Sequence, residues 1–122
     1  MKRVFSLMVC FGFLFGCGGS DKISKTYRNG LSRFNEKEYE SAIEDFSKVI
    51  ELDEKYVMAY MMRGNCNSAL KKHDDAIKDF SKVIELDSQN RNAYLNRSVS
   101  YKATGKVALA KSDLDKSKKI ND

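Results

Sequence analysis

A thirteen-residue segment that occurs twice is the feature that most constrains how this chain can fold. Residues 41–53 read SAIEDFSKVIELD and residues 75–87 read DAIKDFSKVIELD, so the two copies differ only at their first and fourth positions. The copies lie 34 residues apart, and a more divergent third copy follows after a further 34 residues. Self-similarity at this period is typical of stacked helix–turn–helix units. The chain is therefore predicted to contain three such units, at residues 23–56, 57–90 and 91–122.

Small and aromatic residues within each unit follow a pattern that resembles the tetratricopeptide repeat, with an aromatic residue, Gly-x-x-Tyr and Ala-x-x-x-Phe in order. Thr26 and Ser98 depart from this pattern, and the chain has no proline. The resemblance covers residues 23–122 and implies an all-α fold of three helical hairpins stacked in a short right-handed superhelix. The residues that it implies pack the repeats together are Gly30, Ala42, Phe46, Tyr60, Gly64, Ala76, Phe80, Tyr94, Ala110 and Leu114.

Apolar periodicity divides the second unit into two helices, at residues 57–70 and 74–86, with Asp74 as a candidate N-cap. The last helix of the chain is predicted at residues 109–120. Its many lysines suit it to cap the array, since terminal repeats need a polar outer face. Alternatively, its thin apolar face, Leu114 and Ile120, docks on a partner or on a second copy of the chain.

The first 22 residues are predicted to lie outside the repeats. A basic start, Met1 to Arg3, precedes an apolar run at residues 4–15 that is too short to span a bilayer as a helix. This is the layout of a secretory signal peptide. Leu14-Phe15-Gly16-Cys17 also resembles a bacterial lipobox, which implies a signal at residues 1–16 that is cleaved, a lipidated Cys17 and a short flexible tether at residues 17–22. The alternative is an ordinary cleaved signal with an incidental cysteine.

Two acyl chains or more hold a protein stably to a membrane, so a lipidated Cys17 implies an exported protein anchored to the cell envelope. The residue after the cysteine is Gly18 rather than Asp. By resemblance to enteric lipoproteins, this indicates the outer membrane, on its periplasmic side.

Little in the sequence indicates catalysis. His73 is the single histidine, and Cys66 is the one thiol that remains once Cys10 leaves with the signal and Cys17 is lipidated. No metal-binding spacing or phosphate-binding loop is present, so neither an enzyme nor a cofactor or metal is predicted. Cys66 lies at a position that a small core residue usually fills, and it is interpreted as a buried, inert thiol.

The net charge of +5 is concentrated in the third unit, where eight basic side chains face three acidic ones. The first unit carries six basic and eight acidic residues. A gradient of this kind along a helical array is typical of a solvated basic end, and nucleic-acid binding is not predicted.

The family resemblance places a partner-binding groove on the concave surface, which the first helix of each unit lines. Its candidate residues combine adaptable methionines, amides that could clamp an extended peptide, and a cation at each end. In the alternative interpretation the methionines fill gaps between units and the asparagines are solvated. The candidate residues are Arg28, Met58, Met61, Met62, Asn65, Asn92, Asn96, Val99 and Lys102.

Relatives that bind the acidic C-terminal tails of heat-shock chaperones use a clamp of lysine, asparagine and arginine side chains. Here Tyr27, Leu31 and Met62 occupy positions of that clamp, so it is absent. The sequence therefore predicts a membrane-anchored protein–protein interaction scaffold that binds a peptide or partner protein, with a role in envelope complex assembly. The alternative is a structural lipoprotein that forms a homo-oligomer through its C-terminal helix.

Overall fold

Each predicted unit folds as a pair of antiparallel helices in the computed structural model, which describes the backbone of residues 4–120 and the side chains of residues 18–120. The described residues form six helices and no strand. The first helix of each pair is called A-type and the second B-type. The helices are α1 (Val4–Asn35), α2 (Tyr39–Leu52), α3 (Val57–Ala69), α4 (His73–Leu86), α5 (Arg91–Ala103) and α6 (Val107–Lys119).

The turn within each hairpin has a residue with positive φ at the same repeat position. Lys37 has φ 63°, Lys71 has φ 59° and Gly105 has φ 77°. Only glycine adopts this conformation without a steric cost from Cβ. The short turns place each B-type helix antiparallel to the A-type helix before it, and connections of four residues, 53–56 and 87–90, lead to the next hairpin.

The prediction that Asp74 caps α4 is wrong. Lys72 is the N-cap residue of α4 and its side chain makes no capping hydrogen bond, while Asp74 and Asp75 lie in the first turn of the helix. Carboxylates in a first turn still stabilise a helix, because they face the positive end of its dipole.

Two apolar clusters hold the hairpins together, one at each junction between units. The first joins units one and two around Phe46, Val49 and Cys66, and the second joins units two and three around Phe80 and Val83. All five side chains are fully buried. The clusters begin at Ile23 and do not involve residues 18–22. The predicted all-α array of three stacked helical hairpins is confirmed.

The predicted flexible tether differs from the structure at residues 18–22, which continue α1 as helix. A Cβ built on Gly18 or Gly19 would meet no atom within 4 Å, so this part of α1 runs through open space. It is helical because it extends a helix that packing already fixes from Ile23 onward, and helix propagation is easier than nucleation. Among the described residues, no helix combines the length and the apolar character needed to cross a membrane.

Candidate functional site

The A-type helices form the inner layer of the array. α1 contacts α3 and α3 contacts α5, whereas no such contact joins α2 to α4 or α4 to α6 in the described part of the chain. Neighbouring A-type helices therefore lie closer together than neighbouring B-type helices. The array curves toward the A-type helices, and their outward-facing side chains line its concave surface, called the groove below.

The groove contains a pocket of about 160 Å³ between α3 and α5. Asn65 and Asn96 form one wall, and Asn96 Nδ2 donates a hydrogen bond to Asn65 Oδ1 over 3.1 Å. Val99 lines the same pocket and is 64% exposed, an unusual exposure for a valine. The pocket thus combines amide groups that can pair with a peptide backbone and an apolar surface that can contact a side chain. Its lining is Asn65, Ser68, Phe80, Asn96 and Val99.

The three methionines predicted to floor the groove have different environments. Met58 is 48% exposed and remains available to a partner. Met62 is half-buried and packs against the first apolar cluster. Met61 is buried in the second cluster beside Tyr60 and Ala93, so its assignment to the groove surface is wrong. Its position, one residue before Met62, turns it toward the junction with α5.

The polar residues predicted at the two ends of the groove are exposed. Arg28 lies on α1, where its Nε donates a hydrogen bond to the Ser24 carbonyl over 3.3 Å. Asn92 and Lys102 lie near the two ends of α5 and are also exposed. The structure thus brings Asn65, Asn96 and Val99 together at one pocket and leaves these other polar residues separate from it.

A close contact between a glycine and a phenylalanine recurs inside the first two hairpins. A Cβ on Gly30 would lie 2.7 Å from Phe46 Cε1, and a Cβ on Gly64 would lie 2.7 Å from Phe80 Cε1. The ring therefore occupies the space that a side chain would need. Ala42, Ala76 and Ala110 are the buried small residues on the B-type helices of the three units.

The third hairpin replaces this pair with Ser98 and Leu114. Ser98 is buried and its Oγ donates to the Leu95 carbonyl over 2.6 Å, while Leu114 is 40% exposed. The expectation that Leu114 packs as a core residue is therefore wrong. Phe46 and Phe80 are covered by the A-type helix of the following unit, and no following A-type helix covers Leu114 within the described residues.

Sequence analysis missed a set of buried carboxylates, Asp45, Asp79 and Asp113, which occur at the same position of each repeat. In the second unit Arg63 Nη2 lies 2.8 Å from Asp79 Oδ1, and in the third Arg97 Nη2 lies 2.7 Å from Asp113 Oδ1. These arginines also bond back to the preceding B-type helix, through Ser47 and Ser81. The signal was present, because both the Asp and the Arg–Ser positions recur at the 34-residue period.

The first unit makes the same ion pair with an arginine from a different position. Asn29 stands at the repeat position of Arg63, and Arg33, one helical turn later, reaches Asp45 Oδ2 over 2.9 Å. In the second unit that later position holds Asn67, whose Nδ2 donates to Asp79 over 3.1 Å. Every unit therefore pairs its buried carboxylate, which otherwise would be costly to bury.

The ion pairs of the second and third units differ in the pKa shifts of their members. Desolvation by burial raises the pKa of Asp79, although the hydrogen bonds from Arg63 and Asn67 oppose this shift. In the third unit the hydrogen bond to Asp113 raises the pKa of Arg97 and outweighs the opposing effect of burial. Arg97 is also the less exposed of the two arginine side chains, at 16% against 25% for Arg63.

Neither Cys66 nor His73 lines the groove pocket. Cys66 is fully buried, and burial raises the pKa of its thiol to about 11. His73 is the first residue of α4, and its Nδ1 is buried without a hydrogen-bond partner. Within the described residues, no group of three His, Cys, Asp or Glu side chains is arranged to hold a metal ion.

The side chain of Cys17, the predicted lipidation site, lies outside the residues whose side chains the structure describes. The same holds for the side chains of the predicted signal peptide at residues 1–16. Lipidation and cleavage therefore stay predictions from the sequence.

Solved structures of similar fold include the second tetratricopeptide domain of Spaghetti (RPAP3), bound to the HSP90 peptide SRMEEVD. That domain is 24% identical to this chain, the match covers 85% of this chain and 98% of that chain, and the TM-score is 0.79. The tetratricopeptide domain of Arabidopsis OM64 is 18% identical over 84% of this chain and 85% of that chain, with a TM-score of 0.81. One structure of the type III secretion translocator chaperone SycD of Yersinia enterocolitica is 20% identical over 82% of this chain and 76% of that chain, with a TM-score of 0.79. At these identities the similarity shows the fold.

A search of curated proteins found no match. Two sequence profiles of the tetratricopeptide repeat match the chain, one at residues 57–90 and the other at residues 27–56. Together these matches span more than half of the chain, and α5 and α6 form a third hairpin of the same kind. This protein therefore belongs to the tetratricopeptide repeat family.

Proposed function

We propose that this protein is a membrane-anchored adaptor whose groove binds a peptide segment of a partner protein during assembly of a cell-envelope complex. The observation that carries the proposal is the pocket at Asn65, Asn96 and Val99. An exposed valine beside a pair of amides offers a partner both apolar contact and backbone hydrogen bonds. Buried carboxylates and tight Gly–Phe contacts hold the A-type helices in place, so the pocket is largely preformed.

The ligand proposed for this groove differs from the peptide in the first of the similar structures. The Spaghetti domain is bound to SRMEEVD, an acidic peptide. Tyr27 and Leu31 occupy the positions where a carboxylate clamp would need polar side chains, and both pack in the first apolar cluster. We therefore expect the groove to bind an internal segment with an apolar side chain rather than a terminal carboxylate.

The membrane anchor in this proposal is a lipidated Cys17, supported by the lipobox-like residues 14–17 and the basic and apolar residues before them. Attachment to the periplasmic side of the outer membrane is the location proposed. Only residues 18–22 then separate the lipidated cysteine from the first apolar cluster, which begins at Ile23. The groove would face partners within the envelope.

Self-association through the C-terminal helix is the competing function, and the two ends of the array count against it. A second copy that continued the superhelix would place α1 against α6. Lys25 stands in α1 at the repeat position of Ala59 and Ala93, which are fully buried against the preceding B-type helix. Burying Lys25 against the lysines of α6 would leave a cation desolvated without a partner, which is strongly unfavourable.

The proposal is tested by photo-crosslinking in cells from position 99, because Val99 is exposed in the pocket wall. We expect one specific partner to be captured. Capture should fall when Asn96→Ala removes the amide pair, and it should fall when Cys17→Ser removes the anchor. If Asn96→Ala lowers capture and Cys17→Ser does not, the groove binds the partner without membrane attachment.

A crosslinker at Lys78 is the matched control, because Lys78 is exposed on a B-type helix away from the groove. Capture of the same partner from both positions would contradict groove binding. Capture only of a second copy of this chain would favour self-association instead. Binding of SRMEEVD by the purified protein would show that the expected ligand class is wrong.

A further inference from the structure

The helices of the array all end at one of two opposite edges, because A-type and B-type helices alternate in direction. The N-terminal ends of A-type helices and the C-terminal ends of B-type helices form one edge, called the proximal edge below. Residues 4–22 of α1 leave the array from this edge. Ile120 shares a pocket with Ser88, Gln89 and Tyr94, which shows that the end of α6 lies beside the start of α5 at the same edge.

The end of α6 differs in charge from the ends of the other two B-type helices. Lys118 stands at the repeat position of Ile50 and Ile84, and Lys119 stands at the position of Glu51 and Glu85. The last turn of the B-type helix thus has no basic side chain in the first two units and three in the third. The acidic side chains at the ends of the first two units are Glu51, Asp53, Glu54, Glu85 and Asp87.

The lysines at the end of α6 are available to an anionic surface. Lys118 is 74% exposed, and its only acidic neighbour in the described residues, Asp115, lies 3.9 Å from it in a weak exposed pair. Lys116 and Lys119 line both of the pockets that flank the end of α6. Lys116 also lies over the ring of Tyr94, at 5.7 Å from its centre, which directs its ammonium group toward the proximal edge.

The length of the link to the proposed anchor sets how near this edge lies to a membrane. Residues 18–22 are helical, and at about 1.5 Å per residue they span roughly 8 Å. Charges interact across about 8 Å at physiological ionic strength before salt screens them. A link this short lets the proximal edge approach the membrane to within that range. In that orientation the lysines at the end of α6 would face charged headgroups, while the acidic ends of α2 and α4 would be repelled.

We propose that Lys116, Lys118 and Lys119 form a second membrane contact, which binds the anionic phospholipid headgroups of the membrane that carries the anchor. The inference rests on the proposed membrane attachment. Attachment at α1 and at the end of α6 would hold the array at both ends of its proximal edge. The groove would then keep a fixed orientation relative to the membrane, which a single lipid anchor does not impose.

The test uses residues 18–122, a form that lacks the proposed anchor and retains both apolar clusters. Co-sedimentation is measured with vesicles of phosphatidylcholine alone and of phosphatidylcholine mixed equally with phosphatidylglycerol. We expect binding to the anionic vesicles only, weakening as salt is added. The triple variant K116Q/K118Q/K119Q should lower the partition coefficient on the order of a hundredfold, since each lysine contributes about 1 kcal/mol, or about fivefold.

The control variant K71Q/K72Q/K106Q removes the same net charge from the opposite edge of the array, at three exposed residues outside the groove, and should retain most of the binding. Equal loss in both variants would overturn the proposal, because binding would then depend on net charge alone. Absence of wild-type binding to anionic vesicles would also overturn it, as would binding to a DNA duplex without binding to vesicles. Circular dichroism verifies that each variant is folded. None of these results depends on Cys17 or on the groove.

Discussion

At the scale of single residues, the three buried carboxylates show how one repeat position can have different energetics in each unit. Asp79 and Asp113 meet their arginines with similar distances, 2.8 Å and 2.7 Å. Desolvation raises the pKa of Asp79, whereas the partner of Asp113, Arg97, has its pKa raised chiefly by the hydrogen bond to that carboxylate. The two carboxylates therefore have similar ion-pair distances but different surroundings, because Arg97 is more deeply buried than Arg63 and Asp79 has a second donor in Asn67.

This difference predicts unequal effects of removing each charge. Asp113→Asn should lower the free energy of unfolding by about 2–3 kcal/mol, because Arg97 would keep a largely desolvated guanidinium without its counter-ion. Asp79→Asn should cost about 1 kcal/mol or less, because the folded protein already disfavours the charged form of Asp79 and an amide oxygen still accepts a hydrogen bond. Urea unfolding at neutral pH measures both values. Equal losses, or a larger loss for Asp79→Asn, would contradict this ranking.

The raised pKa of Asp79 also determines the sign of its pH dependence. The folded protein binds a proton at this group more tightly than the unfolded chain does. Protonation therefore favours folding, and the contribution of Asp79 to stability falls as pH rises through its folded pKa. Asp79→Asn should remove this component. The variant should therefore lose more free energy of unfolding, relative to wild type, at acidic pH than at neutral pH.

Cys66 should be inert in the folded protein. Its side chain is fully buried and its thiol pKa is raised to about 11, so very little thiolate exists at neutral pH. In the form with residues 18–122, which contains no other cysteine, a thiol-reactive dye should label the protein only after denaturant is added. Rapid labelling without denaturant would show that the second unit opens readily.

At the scale of the element, the turns within the hairpins use one backbone conformation with different residues. Lys37 and Lys71 have positive φ where the third unit has Gly105. A residue with Cβ pays about 1 kcal/mol in this region, a cost that glycine avoids. The first two turns are therefore strained relative to the third, and the repeat does not use the best residue at each copy of this position.

Introducing glycine at this turn position and removing it should change the free energy of unfolding in opposite directions. Lys71→Gly should raise the free energy of unfolding by about 0.5–1 kcal/mol, because relief of strain exceeds the added flexibility of the unfolded chain. Gly105→Ala is the matched reverse change and should lower it by a similar amount or more. A Cβ at Gly105 would meet no atom within 4 Å, so the cost comes from the positive φ alone. Thermal unfolding of both variants provides the measurement. A destabilising Lys71→Gly would show that the turn is not strained.

The helices and their pairing were predictable because local patterns determine them. The apolar stripes and the Gly64 and Phe80 positions recur at a fixed period, and their contact follows from it. The salt bridge of the first unit was harder to predict, because Arg33 reaches Asp45 from one turn beyond the repeat position of Arg63. The exposure of Leu114 depends on the absence of a following A-type helix in the described residues, which local periodicity does not contain.

Part of the candidate site could be predicted for similar reasons. Repeat position identified Asn65, Asn96 and Val99 as groove residues, and they line one pocket. The burial of Met61 was not apparent, because adjacent residues on a helix differ by about 100° in direction and the edge of the groove falls between Met61 and Met62. Helix packing, rather than sequence pattern, decides such boundary positions.

At the scale of the whole molecule, both ends of the array differ from its interior junctions. Lys25 and Asn29 occupy positions on α1 that hold Ala59 and Arg63 on α3. On α6, Lys111 and Lys118 occupy the positions of Ile77 and Ile84, and Ser117 replaces Val83. These positions are thus polar on the outer faces of α1 and α6, whereas the same positions at the two interior junctions are mostly apolar.

We therefore predict that residues 18–122 are monomeric from micromolar to near-millimolar concentration in sedimentation or light scattering. The variant K25A/K111I/K118I restores the interior residue at three end positions and should associate as concentration rises, because it gives α1 and α6 the surfaces of an internal junction.

Lys72→Ile is the matched control, since it adds an exposed apolar side chain away from both ends and should leave the protein monomeric. Association of the wild type would show that the lysines do not block stacking and would favour the self-assembling alternative. A monomeric triple variant would instead mean that the end residues alone do not determine the length of the array.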